Sequence, residues 1–156
     1  MTRLYGRAFG GERIVEYVPD VRFERQSILS TVKANGDMIP LVYSGALNGA
    51  LFKEYIVKFV VPTLKPRDIL IMDCLSVHKV AGISEAVEAA GANVVYLPPY
   101  SPDFNPSENF WSEIKSVMRR LKARTVEAVC GAVSIAIDSI TPEHALNHFF
   151  HCYCSL

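Results

Sequence analysis

The chain has 156 residues, half of them hydrophobic and 21% charged, which is enough apolar material for one compact core and too much for a disordered tail or a polar linker. Lysine plus arginine and aspartate plus glutamate each total 16, so the overall charge gives no reason to expect nucleic acid, and any cationic surface has to be local. No apolar run reaches the about 18 residues that cross a bilayer, and Met1-Thr2-Arg3 lacks a signal-like apolar start, so a cytoplasmic protein is expected.

In chain order, residues 12–18 and 26–33 are rich in β-branched and apolar residues and read as strands. Asn35-Gly36-Asp37 is a turn signal, and 38–43 supplies the second strand of a hairpin. Between 48 and 64, Leu51, Phe52, Tyr55, Ile56, Phe59 and Val60 recur at helical spacing, and Pro62 marks the frayed end. Ile69-Leu70-Ile71-Met72, ending at Asp73, is a continuous apolar run of the kind found in a central strand covered on both faces. Residues 80–90 read as a helix closed by Gly91, and 94–97 as a further buried strand. Strand, helix, strand in that order predicts a parallel pair joined by a right-handed crossover, hence an α/β class.

Four prolines between Pro98 and Pro106 then hold an extended loop, and a helix starts at Pro106 behind Asn105 as cap. Its apolar stripe is Phe110, Trp111, Ile114, Val117, Met118 and Leu121, while Glu108, Ser112, Lys115, Arg119 and Lys122 face away. A last pair of helices is expected over 126–140, with Val126, Val129, Val133, Ile137 and Ile140 inward, and after Thr141-Pro142-Glu143.

Two carboxylates stand where chemistry is expected. Asp73 closes a buried strand, the edge at which open α/β sheets present functional groups, although an Asp there is also an ordinary turn residue. Glu108 is the third residue of its helix, which is the capping-box position, and the same helix terminus favours the ionised carboxylate that a hard divalent cation requires. Lys115, Arg119, Arg120, Lys122 and Arg124 form a run without an acid, either a DNA-facing surface or a solvated helix face. Four unevenly spaced cysteines suggest a reducing compartment rather than a disulfide framework. His144, His148, His151, Cys152 and Cys154 include soft ligands, but with Leu146, Phe149 and Phe150 among them they read as a packed terminal helix before a zinc site.

The blocks ILIMDCLSVHK and YLPPYSPDFNPSENFWSEIK together resemble the catalytic core of DDE transposases of the mariner-related insertion-sequence group. YGRAFGGER, the passage NGALFKEYIVKFVVPTLKPRD and the terminal helices extend the resemblance over nearly the whole chain. On that resemblance Asp73 and Glu108, with 34 residues between them, match the second and third acids of the triad, and His78, Lys79 and Asn105 match its neighbours. The resemblance implies an RNase H-like mixed sheet flanked by helices and a single catalytic domain over 1–156. It also implies Mg²⁺- or Mn²⁺-dependent cleavage and joining of double-stranded DNA at element ends and target site by a homodimer at the bacterial nucleoid.

Two departures qualify it. The family's first Asp sits on a central strand upstream of the position matching Met1, and none of Glu12, Glu16, Asp20, Glu24 or Asp37 has its context. Cys74 replaces the usual Asn beside the Asp, and Ser107 replaces an aliphatic residue. Weak or absent activity is therefore expected from this chain alone. A noncatalytic DNA-binding or interaction remnant and a host RNase H-like nuclease remain the alternatives.

Overall fold

The structure, a computed structural model, describes residues 25–123 and 125–153 together with Gly10 and Val15. The expected strand at 12–18, the acids Glu12, Glu16, Asp20 and Glu24, and also Arg124 and Cys154, lie outside the described residues, except that Val15 is described and is in no strand.

The hairpin forms as the sequence predicts. β1 (Gln26–Val32) pairs antiparallel with β2 (Met38–Ser44), Thr31 facing Ile39. Lys33 N–H donates to Asp37 O at 2.8 Å, and Gly36 takes a φ of 91°, a left-handed value that costs glycine little. Asp37 is a turn residue, held by Asn35 Nδ2 at 2.8 Å.

Helix α1 (Gly49–Tyr55) starts on Asn48, whose Oδ1 accepts from Leu51 N–H at 2.9 Å. It does not run on to 64 as a regular helix. A π-turn occupies Ile56–Val60 and a 3₁₀ turn Val61–Thr63. Pro62 explains the change, because it has no N–H to give and its ring crowds the carbonyl one turn back. The altered winding leaves Phe59 46% exposed, against the expectation of a core residue, while Phe52, Tyr55, Ile56 and Val60 are buried.

β3 (Ile69–Met72) pairs in parallel with β4 (Asn93–Tyr96), as the strand–helix–strand order predicts. Between them α2 (Ile83–Ala89) is shorter than expected, because residues 76–79 form a 3₁₀ turn and Gly82, at φ 90°, resets the chain direction. Ile83 and Val87 are its buried residues, and they join Phe52, Tyr55, Leu70 and Met72 in one core. β3 is not covered on both faces: Ile69 is 60% exposed, whereas Leu70 and Met72 are buried.

The remaining helices are α3 (Pro106–Leu121), α4 (Val126–Asp138) and α5 (Pro142–Tyr153). α3 buries Phe110, Ile114 and Met118 as predicted, but Leu121 in its last turn is 44% exposed. On α4 the fully buried positions are Ala132, Val133 and Ala136, with Val129 and Ile137 half-buried and Val126 exposed. Ala132 and Ala136, together with Val133, are the α4 residues buried in the cluster shared with Ile114 and Met118 of α3, and small side chains there suit close helix packing. Thr141 Oγ1 accepts from His144 N–H at 3.2 Å and so caps α5.

The result is a three-layer α/β arrangement. Leu29, Ile39 and Leu41 face α1, whereas Ile28, Val32 and Met38 face the α3–α5 side. Among the described residues the strands form two separate two-stranded sheets, β1–β2 and β3–β4, with no ladder between them. Tyr55 spans the gap from below. Its hydroxyl accepts from Thr31 N–H at 2.8 Å and donates to Ile39 O at 2.6 Å, inside the hairpin ladder.

Burial raises the Tyr55 pKa above the usual tyrosine value, against a smaller opposing effect of its bonds to Thr31. A raised folded pKa stabilises the fold at pH values below that of the unfolded tyrosine and is lost as pH climbs from about 10 through the folded value. Tyr55→Phe is expected to cost about 1–3 kcal/mol at neutral pH, because Thr31 N–H and Ile39 C=O lose their bridge. Urea unfolding of the two proteins from pH 7 to 11 checks this: the gap between the curves should shrink above pH 10.

Candidate active site

Asp73 follows β3 directly, so the strand's direction sets its position at the sheet's C-terminal edge. Its side chain is 41% exposed, and its Oδ1 lies 2.6 Å from His78 Nδ1 and 3.2 Å from Leu75 N. The same Nδ1 is 3.4 Å from the Asp73 carbonyl oxygen, so the hydrogen bond that counts is the shorter one to the carboxylate. A carboxylate acceptor fixes the proton on Nδ1. His78 is held from two further sides. Its ring packs on Phe52 at 4.3 Å between centroids, and its carbonyl accepts from the Tyr96 hydroxyl at 3.1 Å. The 3₁₀ turn at 76–79 makes this possible by folding His78 back over the strand end.

Glu108 comes from the opposite side, in the first turn of α3. Asn105 caps that helix, its Oδ1 accepting from Ser107 N–H at 3.1 Å. The capping box is not completed. Asn105 N–H donates to Pro102 O at 2.9 Å, because the Pro102–Phe104 3₁₀ turn feeds directly into the helix, so the donor that Glu108 would have capped is already occupied. Glu108 is exposed, and its carboxylate makes no hydrogen bond or ion pair among the described residues.

Asp73, His78, Asn105 and Glu108 line one cavity of about 480 Å³ that runs between β1 and β3. The sequence-predicted carboxylates therefore share a cavity. Among the described residues nothing bonds Asp73 Oδ2 or either Glu108 carboxylate oxygen, and these oxygens are a donor set that fits Mg²⁺ or Mn²⁺ with waters completing the shell. Among the described residues no group of three His, Cys, Asp or Glu side chains is close enough to hold a metal ion. That applies to the C-terminal cluster as well: His148 Nε2 is 2.9 Å from Glu113 Oε1 and edge-on to Phe110, and Cys152 is buried.

The basic residues lie elsewhere. Lys79 is exposed and does not line the cavity. It sits 5.8 Å above the Tyr96 ring, and a hydrogen bond to Cys74, with that sulfur's charge, raises its pKa above the usual lysine range. Lys115, Arg119 and Lys122 follow Glu108 along one side of α3, with Arg120 beside them, all exposed. Phe52 and Tyr96, which position His78, were not singled out for the site from the sequence; only the tyrosine's place at the end of the strand beside the aspartate signals it.

A family model described as DDE superfamily endonuclease matches residues 1–130. The chain belongs to this family. A search of the curated proteins finds no match. Among solved structures, one titled "Crystal structure of the Mos1 Strand Transfer Complex" is similar in fold, with a TM-score of 0.77 at 15% identity. The match covers 96% of this chain and 46% of that one, so this chain spans about half the length of its structural neighbour. The fold of this family member is thus the RNase H-like α/β fold that the sequence motifs implied.

The cap geometry separates two neighbouring residues. Asn105→Ala should cost about 0.5–2 kcal/mol through the lost cap. Glu108→Gln should stay within about 0.5 kcal/mol of the parent, since its carboxylate makes no hydrogen bond or ion pair among the described residues. Urea midpoints of the three proteins test both.

Proposed function

We propose that this chain is the catalytic core of a DDE transposase, acting in metal-dependent cleavage and strand transfer of double-stranded DNA at the ends of an insertion sequence. The observation that carries this reading is the shared cavity: the strand end bearing Asp73 and the helix start bearing Glu108 open into it, and Glu108 is released from the capping role its position suggests. The single-domain reading over 1–156 is part of the same proposal.

Asp73 and Glu108 would hold Mg²⁺ or Mn²⁺, which when bound activates the attacking oxygen and stabilises the leaving one in phosphodiester chemistry. His78 keeps Asp73 in place by donating from Nδ1, with Phe52 fixing the ring. Asn105 sets the start of α3 and so the position of Glu108. Lys115, Arg119, Arg120 and Lys122 give α3 a cationic flank running from the site, which suits the DNA backbone, and Lys79 adds a charge near Asp73. Two carboxylates are a partial site, so cleavage by these 156 residues alone is expected to be weak or absent. Assembly as a homodimer on paired ends and association with the nucleoid follow from the same reading; no described helix is long and apolar enough to cross a membrane.

A second reading, DNA binding without catalysis, has one specific observation in its favour: the basic flank of α3 lies outside the cavity, so the two functions are separable.

Calorimetric titration of Mn²⁺ into the purified chain tests the site. Asp73→Asn and Glu108→Gln should each weaken binding at least tenfold with circular dichroism unchanged; undiminished binding in either variant removes that residue from the site. DNA binding is checked by its salt dependence. Replacing Lys115 and Arg119 together with alanine should lower the slope of log K against log salt by about 2, roughly one for each phosphate no longer neutralised, while Asp73→Asn leaves the slope unchanged.

A further inference from the structure

His78 Nδ1 stands between two acceptors that belong to one residue. The Asp73 carboxylate Oδ1 is 2.6 Å away and the Asp73 main-chain oxygen 3.4 Å, so a displacement of the ring by under an ångström exchanges one acceptor for the other. The exchange matters to the carboxylate. Without His78, Oδ1 keeps Leu75 N–H at 3.2 Å, a longer contact about which the carboxylate can turn.

The turn that carries His78 does not settle the choice by itself. Residues 76–79 form one 3₁₀ turn without a side-chain cap, and the hydrogen-bond geometry of such a turn is poorer than that of an α-helix. On the α1 side, the Phe52 ring lies 4.3 Å from the His78 ring at an interplanar angle of 32°, a face contact that resists approach more than sliding. Tyr96 supplies the missing restraint. Its hydroxyl donates to the His78 carbonyl at 3.1 Å and pins the backbone from which the ring hangs. The tyrosine is itself set by the sheet, because it pairs with Met72 and its ring packs against the core that holds Leu70 and Met72. Leu97 N–H closes that ladder by donating to Met72 O at 2.8 Å. Asp73 follows Met72 directly, so aspartate and tyrosine ride on one ladder and the histidine is held against both.

We propose that the Tyr96 hydroxyl is a positioning group for the candidate metal site: it selects the carboxylate over the main-chain oxygen as acceptor of the His78 Nδ1–H, and so fixes how Asp73 Oδ2 is presented to a divalent cation. The consequence for the cation rests on the metal-dependent reading above; the choice of acceptor does not. In this role Tyr96 touches neither cation nor DNA and acts through His78. The hydroxyl can be removed by itself. The Lys79 ammonium lies 5.8 Å over the Tyr96 ring, a contact that phenylalanine keeps together with the packing of the ring. Tyr96→Phe therefore subtracts the one hydrogen bond to His78.

The first measurement follows His78 Nδ1 and its proton by ¹⁵N NMR in the full chain, with EDTA present and the pH fixed, the signal being identified by its absence in His78→Gln. Asp73→Ala gives the reference without the carboxylate. Tyr96→Phe is expected to move the nitrogen shift at least halfway to that reference and to speed exchange of the proton with water at least tenfold. Thr125→Ala, which removes the cap of α4 far from the turn, controls for general loosening and should change neither. An unchanged signal in Tyr96→Phe overturns the proposal, and so does an equal change in Thr125→Ala. The second measurement titrates Mn²⁺ into the same proteins without EDTA. Tyr96→Phe should lose at least threefold in affinity, and adding it to His78→Gln should cost nothing further, because the hydroxyl acts through the histidine. Undiminished affinity in Tyr96→Phe, or losses that simply add in the double variant, overturn the link to the cation. A parent chain that binds no Mn²⁺ overturns that link together with the metal-dependent reading, while the NMR result still decides the acceptor.

Discussion

The Tyr55 hydroxyl is the interaction on which the rest of this molecule depends. It accepts from one strand of the hairpin and donates to the other, while its ring lies in the core that β3 and α2 also share. Among the described residues no ladder joins the two half-sheets, and α1 packs against both, so side-chain packing links them. A β-sheet normally holds its strands in register through backbone bonds, and here one phenol and a layer of apolar side chains stand in for them. The position of Asp73 relative to the hairpin follows from that layer.

The same layer positions the site chemistry. Phe52, one turn before Tyr55 on α1, carries the ring of His78, and His78 in turn holds Asp73. Tyr96 ties the other end of that residue to β4. The carboxylate is therefore oriented by aromatic residues from two separate elements, and the exposed acid is supported by a half-buried histidine rather than by a second charge. Glu108 is placed differently. Its position comes from the proline-bounded 3₁₀ turn and the Asn105 cap, both local, so it approaches the cavity on a rigid helix start.

Much of the site was legible because its signals are local or belong to the family. The strand ending in Asp73, the Asn105–Pro106 helix start and the motif blocks around them all lie within short stretches, and capping and turn chemistry depend on neighbours in sequence. The role of Glu108 within its helix was less legible. Spacing alone makes it a capping-box residue, and only the loop conformation, which brings Pro102 O to the Asn105 N–H, removes that role. Phe59, Leu121 and Val126 share an error of one kind. Each fits a helical stripe, but the π-turn before Pro62, the end of α3 and the alanine contact of α4 decide which part of the stripe is covered.

The sequence by itself determined the α/β class, the hairpin, the parallel pair and the two candidate carboxylates, because turn residues, hydrophobic period and family motifs act over a few residues each. Only the tertiary structure decided that no ladder joins β1 to β3 among the described residues, that Ile69 is exposed on a strand that reads as buried, and that His78 rather than Lys79 attends Asp73. Those outcomes depend on which strands meet across the sheet, and pairing between distant segments leaves no periodic mark in either one.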